Sequence, residues 1–142
     1  MVNVNKAQLG LLLFDSTSNW AILTADKDNN SYDQQTLARL ALQSVLDYRG
    51  YEYLLVDGYC KMVPEQAVLI LDITASDAAS LASLFNQEAF LCTSGLLYQN
   101  AGRTGYVLAP YVNRMLMDVA IEQRDRCVVH CSDGDVCWIV EV

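Results

Sequence analysis

The sequence has no apolar run long enough to cross a membrane and no recognisable export signal. A membrane-spanning helix needs about 20 apolar residues, whereas the run at 10–14 ends at an aspartate and the run at 68–73 contains one. The first residues carry no basic stretch that leads into a long apolar segment, so a signal peptide is not expected. We therefore predict a cytoplasmic protein without a membrane partner.

The motifs of common enzymes are also missing. There is no P-loop, no dinucleotide-binding glycine fingerprint and no HExxH zinc motif. Five cysteines are an odd number, which fits a disulfide framework poorly, and without export we expect all five to be reduced thiols. The sequence therefore predicts no cofactor and no catalytic residue.

Basic residues are few. Nine lysines and arginines stand against 17 acidic residues, which gives a net charge of −8. Binding to duplex DNA is driven by cations that neutralise phosphates, so this balance disfavours it on average. Residues 89–117, called the acid-free segment below, differ from the rest: they contain no aspartate or glutamate and include Arg103 and Arg114.

What the sequence does contain predicts one α+β domain. A chain of 142 residues suits a single core, and we find no repeat, low-complexity tract or linker, so the domain spans 1–142. Ser31 and Gln34 predict a capping box at the start of a helix that ends at Gly50. The predicted order is β-β-α-β-β-α-β-(β)-α-β-β, a two-layer fold with about three helices, a mostly antiparallel sheet and a C-terminal β-hairpin.

Several details of these elements follow from local patterns. We expect Pro64 in the connection between two central strands, and a third helix from Pro110 to about Arg124. The sides of the first two helices that face the core are read from helical spacing. They are predicted to be Leu37, Leu40, Ala41, Val45 and Tyr48 in the first helix, and Ala78, Leu81, Leu84 and Phe85 in the second.

The most conspicuous motif is CVVHCSDGDVCW at 127–138, which holds three cysteines and the only histidine of the sequence. Asp133-Gly134 predicts a two-residue type I′ turn and therefore a hairpin of fixed register. The predicted pairs are Ser132–Asp135, Cys131–Val136, His130–Cys137, Val129–Trp138, Val128–Ile139, Cys127–Val140 and Arg126–Glu141.

Alternation along this hairpin separates the candidate metal ligands. Cys127 and Cys131 fall on one face of the sheet, and His130 and Cys137 fall on the other. A tetrahedral zinc site needs four converging ligands, so we favour structural thiols and predict no metal site. A thiol–imidazole pair of His130 and Cys137 is the catalytic alternative, although no orienting acid is apparent. The exposed edge of the hairpin offers a surface for oligomerisation.

Residues 19–92 resemble a family of small bacterial and phage proteins known only as a domain of unknown function. The likeness rests on the order of NWAILTADKDNNS, a helix closing in RGYEYLLVDGY, PEQAVLILDI and LASLFNQEAFL. Asp26-Lys27 and Asn86 depart from the family pattern, which has asparagine-proline and glycine there. The resemblance implies a fold but no chemistry, and it makes residues 93–142 an extension. The matching positions are Trp20, Thr24, Gly50, Glu65, Phe85, Gln87 and Ala89.

Four polar residues of this region are candidates for a small-molecule pocket. Thr24, Asp26, Glu65 and Gln87 occur near the ends of predicted elements. They could converge on a ligand, or they could cap helices and tie loops together, and we favour the second interpretation. An acid–base pair of Asp26 and Glu65 needs a separation of a few ångströms, which the sequence does not establish.

The acid-free segment combines aromatic and cationic residues as sequence-tolerant single-strand binders do. Aromatic rings stack on bases, and arginine both stacks on a base and reaches a phosphate. The alternative is that the tyrosines fill core positions. The candidate nucleic-acid contacts are Tyr98, Arg103, Tyr106, Tyr111 and Arg114, with Lys61 as a further cation.

The leading prediction is a non-enzymatic protein that binds single-stranded nucleic acid, in the first instance single-stranded DNA. Its size, acidity and tyrosine content are similar to those of small acidic single-stranded-DNA-binding accessory factors of bacteriophages. That likeness implies a phage-encoded, oligomeric factor for transcription or replication in the host cytoplasm. One alternative is a protein-binding module or inhibitor of a host or phage protein such as RNA polymerase, steered to a basic surface by its charge. The other alternative is a small-molecule-binding or catalytic domain around Glu65 and Gln87.

Overall fold

The fold is taken from a computed structural model, which describes residues 19–27, 31–98, 103–104, 106–110, 122, 127–131 and 136–140. From Tyr98 onward the description of the strands concerns their backbone. In chain order the elements are β1 (Trp20–Thr24), α1 (Tyr32–Arg49), β2 (Tyr53–Cys60), β3 (Val63–Leu71), α2 (Ala75–Leu84), β4 (Ala89–Cys92), β5 (Gly95–Tyr98), β6 (Arg103–Thr104), β7 (Tyr106–Pro110), β8 (Cys127–Cys131) and β9 (Val136–Val140).

The described strands form one sheet in the order β6-β5-β4-β1-β3-β2-β8-β9-β7, and neighbouring strands are antiparallel. The predicted α+β class is confirmed. The described residues contain two long helices where about three are expected from the sequence. Pro110 is the last residue of β7 and not the first of a helix. The predicted helix after it and the predicted strand before β1 lie outside the described residues, apart from Glu122, which is helical.

Local signals explain where the helices begin and end. The Ser31 hydroxyl accepts a hydrogen bond from the Gln34 backbone N–H at 3.2 Å, and the Gln34 side chain accepts one from the Ser31 N–H at 2.8 Å. This is the predicted capping box. Gly50 ends α1 in the left-handed conformation, with φ of 78°. In α2 the Thr74 hydroxyl accepts from the Asp77 N–H at 3.1 Å.

The turn between β2 and β3 is tighter than the sequence predicts. It consists of Lys61 and Met62 alone, both with positive φ (48° and 68°), as a type I′ turn requires. Pro64 therefore lies inside β3, paired with Tyr59, and the prediction that it belongs to the connection is wrong. The closing pair of such a hairpin, Cys60–Val63, exchanges backbone hydrogen bonds, and the next pair, Tyr59–Pro64, does not. The nitrogen of Pro64 therefore faces away from β2. Pairing with β1 begins only at Ala67, so no partner strand needs a donor there.

The helices cover one face of the sheet, here called the helix face. Leu42 and Leu46 of α1 and Leu81 of α2 pack there against strand residues such as Leu23 and Ile70. The predicted core positions Ala78 and Leu81 are confirmed as buried, whereas Leu84 is 56% exposed. Of the side predicted for α1, only Val45 packs against the core; the exposed residues are Leu37, Leu40, Ala41 and Tyr48.

The opposite face, here called the inner face, is buried as well, through residues such as Trp20, Val56 and Leu69. The two end strands, β6 and β7, are separated by residue 105 alone, so the Cα atoms of Thr104 and Tyr106 lie within about 7.6 Å of each other. The two edges of the sheet therefore come close together at this point.

The C-terminal hairpin has the predicted register. All five described pairs, from Cys127–Val140 to Cys131–Val136, are confirmed. The turn at 132–135 and the Arg126–Glu141 pair lie outside the described residues. The expectation of an exposed hairpin edge is wrong, because β2 flanks β8 and β7 flanks β9. The described strands after residue 93 thus belong to the same sheet as the strands of residues 19–92.

Candidate functional site

A network centred on Asp26 joins four parts of the chain. Its carboxylate accepts two hydrogen bonds from Arg39 of α1, from Nε at 2.7 Å and from Nη2 at 2.6 Å. The same carboxylate accepts from the backbone N–H of Gln66 in β3 at 3.0 Å. The side chain of Asp26 is 7% exposed and that of Arg39 is 30% exposed. A bidentate, largely buried pair of this kind fixes the orientation of α1 against the sheet.

The electrostatics of this pair keep Arg39 charged. The hydrogen bonds to Asp26 raise the pKa of Arg39 above its ordinary value, against the opposing effect of partial burial. Nearby Asp57 acts in the same direction as Asp26. Arg39 is therefore a permanent cation. The pair is therefore an ionic anchor between α1 and the segment after β1.

Two of the other predicted pocket residues belong to the same anchor. The Thr24 hydroxyl donates to the Gln66 carbonyl at 2.7 Å and accepts from the Asp26 N–H at 3.0 Å. The Gln87 amide donates to the Asp26 carbonyl at 3.2 Å. Thr24, Asp26 and Gln87 do converge, but on one another, which favours the interpretation that they tie loops together.

The fourth residue, Glu65, lies in a cleft. The cleft has a volume of about 450 Å³ and opens to solvent. Asp26 does not line it, so Asp26 and Glu65 do not face a common cavity as an acid–base pair would. The lining residues are Arg39, Asp57, Gly58, Tyr59, Pro64, Glu65 and Gln66.

The most distinctive surface lies on the side of α1 that faces away from the sheet. We call the exposed residues Leu37, Leu40, Ala41 and Tyr48 the outer face of α1. Leu37 is 68% exposed, Leu40 is 55% exposed and Tyr48 is 92% exposed. Since residues three, four and seven apart lie on one side of a helix, these side chains form an apolar stripe, which the exposed Ser44 interrupts between Ala41 and Tyr48. The sequence reveals this stripe but not which side of the helix the sheet covers.

The predicted nucleic-acid contacts occupy several parts of the fold. Lys61 is exposed at the tip of the β2–β3 hairpin. Arg103 in β6 pairs with Leu97, which packs on the helix face, so the register assigns Arg103 to that face. Tyr98 follows Leu97 directly, so alternation along β5 assigns it to the inner face.

Tyr106 in β7 falls on the inner face too. Tyr106 pairs with Val140, Val140 pairs with Cys127, and Cys127 pairs with Cys60 of β2. Cys60 lies four residues after Val56 in the same strand and therefore on the same face. The strand register therefore places Tyr98 and Tyr106 on the same face of the sheet, whereas it places Arg103 on the other. Tyr111 and Arg114 lie outside the described residues.

The cysteines differ from the sequence expectation. Cys60 is disulfide-bonded, so the prediction that all five cysteines are reduced thiols is wrong. Cys92 is a buried free thiol 3.2 Å from the Ser94 hydroxyl. In the part of the chain whose side chains are described, no three His, Cys, Asp or Glu residues cluster to hold a metal ion.

Comparisons with known proteins add no identity. No family model matches the chain and no curated protein is similar to it, so the resemblance over residues 19–92 stays a prediction. In the described residues, no helix is both long enough and apolar enough to span a membrane.

Proposed function

We propose that the chain is a non-enzymatic protein that binds another protein through the outer face of α1. The observation that carries this proposal is the concentration of exposed apolar side chains on one side of one helix. Isolated exposed leucines are ordinary, but several large apolar side chains grouped on one surface indicate an interaction site. From Leu37 to Tyr48 the stripe extends about 16 Å along the helix axis.

The chemistry of the stripe indicates the kind of partner. Leucine, alanine and tyrosine side chains at helical spacing fit an apolar groove or a second helix. The net charge of −8 favours a partner with a basic surface around that groove, because opposite charges accelerate encounter. A host or phage protein such as RNA polymerase remains the proposed partner class. We keep the cytoplasm as the proposed location, and the oxidation state of Cys60 in cells tests it.

Capture from host lysate tests this proposal when it is coupled to a variant of the face. The wild-type chain should recover one stoichiometric protein, and the double variant Leu37→Gln with Leu40→Gln should recover at least tenfold less, since buried interface leucines contribute on the order of 1–2 kcal/mol each. Light scattering on the isolated chain identifies self-association as the alternative use of the face. Equal recovery by both proteins would exclude α1 as the contact surface.

A second candidate function is binding of single-stranded nucleic acid. It is favoured by one observation: the acid-free segment supplies β5, β6 and β7, which include the two end strands of the sheet. A surface without carboxylates there does not repel phosphates, and Arg103 and Lys61 provide cations. This function would use the Arg103 region and leave α1 free.

Fluorescence anisotropy with labelled oligo-dT separates the two candidates. Nucleic-acid binding predicts micromolar or tighter affinity at low salt that weakens as salt rises. It also predicts loss of affinity in Arg103→Ala with Arg114→Ala, and no change in Leu37→Gln with Leu40→Gln. No binding at micromolar protein would remove this candidate and leave the α1 proposal intact.

A further inference from the structure

Cys60 ends β2, next to the strand that joins the C-terminal hairpin to the rest of the sheet. It is disulfide-bonded and half-buried, whereas Cys92 is a free thiol. Its partner is therefore one of the three cysteines of the hairpin, which are Cys127, Cys131 and Cys137.

The strand register selects one of them. Cys60 and Cys127 are directly paired between β2 and β8. Because Cys60 forms the hydrogen-bonded closing pair with Val63 of β3, its pair with Cys127 on the other side is of the non-hydrogen-bonded type. The Cα atoms in such a pair are about 4.5 Å apart, within the range of roughly 4.4–6.8 Å that a disulfide spans.

The other two cysteines are out of reach. Cys131 lies four residues further along β8, which moves it roughly 13 Å along the strand. Cys137 lies in β9, a further strand away, which adds up to roughly 10 Å from β2. Neither distance can be bridged without moving the backbone.

We infer that Cys60 and Cys127 form a disulfide that joins the C-terminal hairpin to β2 and makes the stability of the sheet depend on redox conditions. The bond links residues far apart in sequence, so it restricts a long loop of the unfolded chain. Reduction leaves β8 held by its backbone pairing with β2 and β9.

The redox step balances with a small disulfide, such as oxidised glutathione, as oxidant. The thiolate of one cysteine attacks the small disulfide, forms a mixed disulfide and expels one thiol. The second cysteine attacks that mixed disulfide and expels the second thiol. Cys60 and Cys127 together lose two protons and two electrons, and the small disulfide becomes two thiols.

Peptide mapping of the full chain tests the assignment directly. Trypsin cleaves after Arg49, Lys61 and Arg126, so Cys60 falls in peptide 50–61 and the three hairpin cysteines fall in peptide 127–142. After exposure to oxidised glutathione and without reductant, mass spectrometry should find these peptides linked, and fragmentation should locate the bond at Cys127. The link should vanish in Cys127→Ser and persist in Cys131→Ser and Cys137→Ser. Free thiols in both peptides, or a link at another cysteine, would overturn the inference.

Thermal unfolding tests the consequence for the fold. Dithiothreitol should lower the Tm of the wild-type chain by roughly 10 °C, as expected for a disulfide that closes a long loop. It should leave the Tm of Cys60→Ser unchanged. Cys92→Ser, which removes the free thiol, should keep the full shift. No shift in the wild type, or an equal shift in Cys60→Ser, would contradict a redox-dependent sheet.

Discussion

The two sides of α1 have similar apolar content and opposite environments. On one side Leu42 and Leu46 are buried against the sheet, and on the other Leu37, Leu40 and Tyr48 are exposed. Both sets satisfy helical spacing, so hydrophobicity alone does not decide which side packs. A helix with two apolar sides can serve two surfaces, one within the fold and one outside it.

Polar contacts select the side that packs. Arg39 and Gln35 lie on the same side of α1 as Leu42 and Leu46, and both hold the segment after β1. Arg39 binds the Asp26 carboxylate, and the Gln35 amide accepts from the Lys27 N–H at 2.9 Å and donates to the Lys27 carbonyl at 2.6 Å. These bonds fix the rotation of the helix about its axis and leave the second apolar side exposed.

The largest expected effect separates the two sides of α1 by stability. Leu46→Ala should lower the free energy of unfolding by about 2–5 kcal/mol, because it opens a cavity in a fully buried site. Leu37→Ala should change it by no more than about 0.5 kcal/mol. Urea unfolding at neutral pH measures both. Similar losses would mean that Leu37 is part of the core after all.

Removing the ionic anchor should cause the second-largest loss of stability. Asp26→Ala leaves the guanidinium of Arg39 partly buried without its partner, and we expect a loss of about 1–3 kcal/mol, discounted for the exposure of Arg39. Glu52→Ala, at an exposed carboxylate, is the matched control and should be close to neutral. If the two variants unfold at the same urea concentration, the anchor does not set the position of α1.

A smaller effect distinguishes a buried tyrosine from an exposed one. Burial, together with its hydrogen bond to Asp47 at 3.0 Å, raises the pKa of Tyr53 above its ordinary value. The neutral hydroxyl is then the favoured form in the fold. Its stabilisation is complete below about pH 10 and is lost as pH rises through the raised pKa.

Tyr53→Phe should therefore cost about 1 kcal/mol at neutral pH and flatten the loss of stability above about pH 10. The 92% exposed Tyr48 supplies the control, because Tyr48→Phe should reproduce the wild-type profile. Tm values between about pH 8 and about pH 11 provide the measurement. A Tyr53→Phe profile as steep as that of the wild type would assign the alkaline loss to other groups.

Local signals account for what the sequence predicts correctly. The Ser31 capping box, the Gly50 terminus and the register of the 127–140 hairpin each depend on residues close in the chain. The tight Lys61-Met62 turn escapes prediction because neither residue is one that favours positive φ. The side of α1 that packs, the pairing of β2 with β8 and the Asp26–Arg39 pair depend on contacts between distant segments, which periodicity does not encode.

The candidate site also combines features that the sequence predicts with features that only the fold shows. Sequence order identifies Thr24, Asp26 and Gln87 as polar residues at the ends of elements, but their mutual hydrogen bonds are visible only in the fold. The disulfide at Cys60 has no sequence signal beyond the presence of a cysteine, because its partner is chosen by the pairing of β2 with β8. The outer face of α1 is readable from spacing once the packed side is known.

The central claim is that the outer face of α1 binds a protein partner, and two matched leucines test it most directly. Leu40 of α1 is 55% exposed and Leu84 of α2 is 56% exposed, so Leu40→Gln and Leu84→Gln make comparable changes at different surfaces. The account predicts that Leu40→Gln weakens the Kd for the captured partner at least tenfold while Leu84→Gln leaves it within twofold, with both variants as stable as the wild type. Equal affinities for the two variants would contradict it.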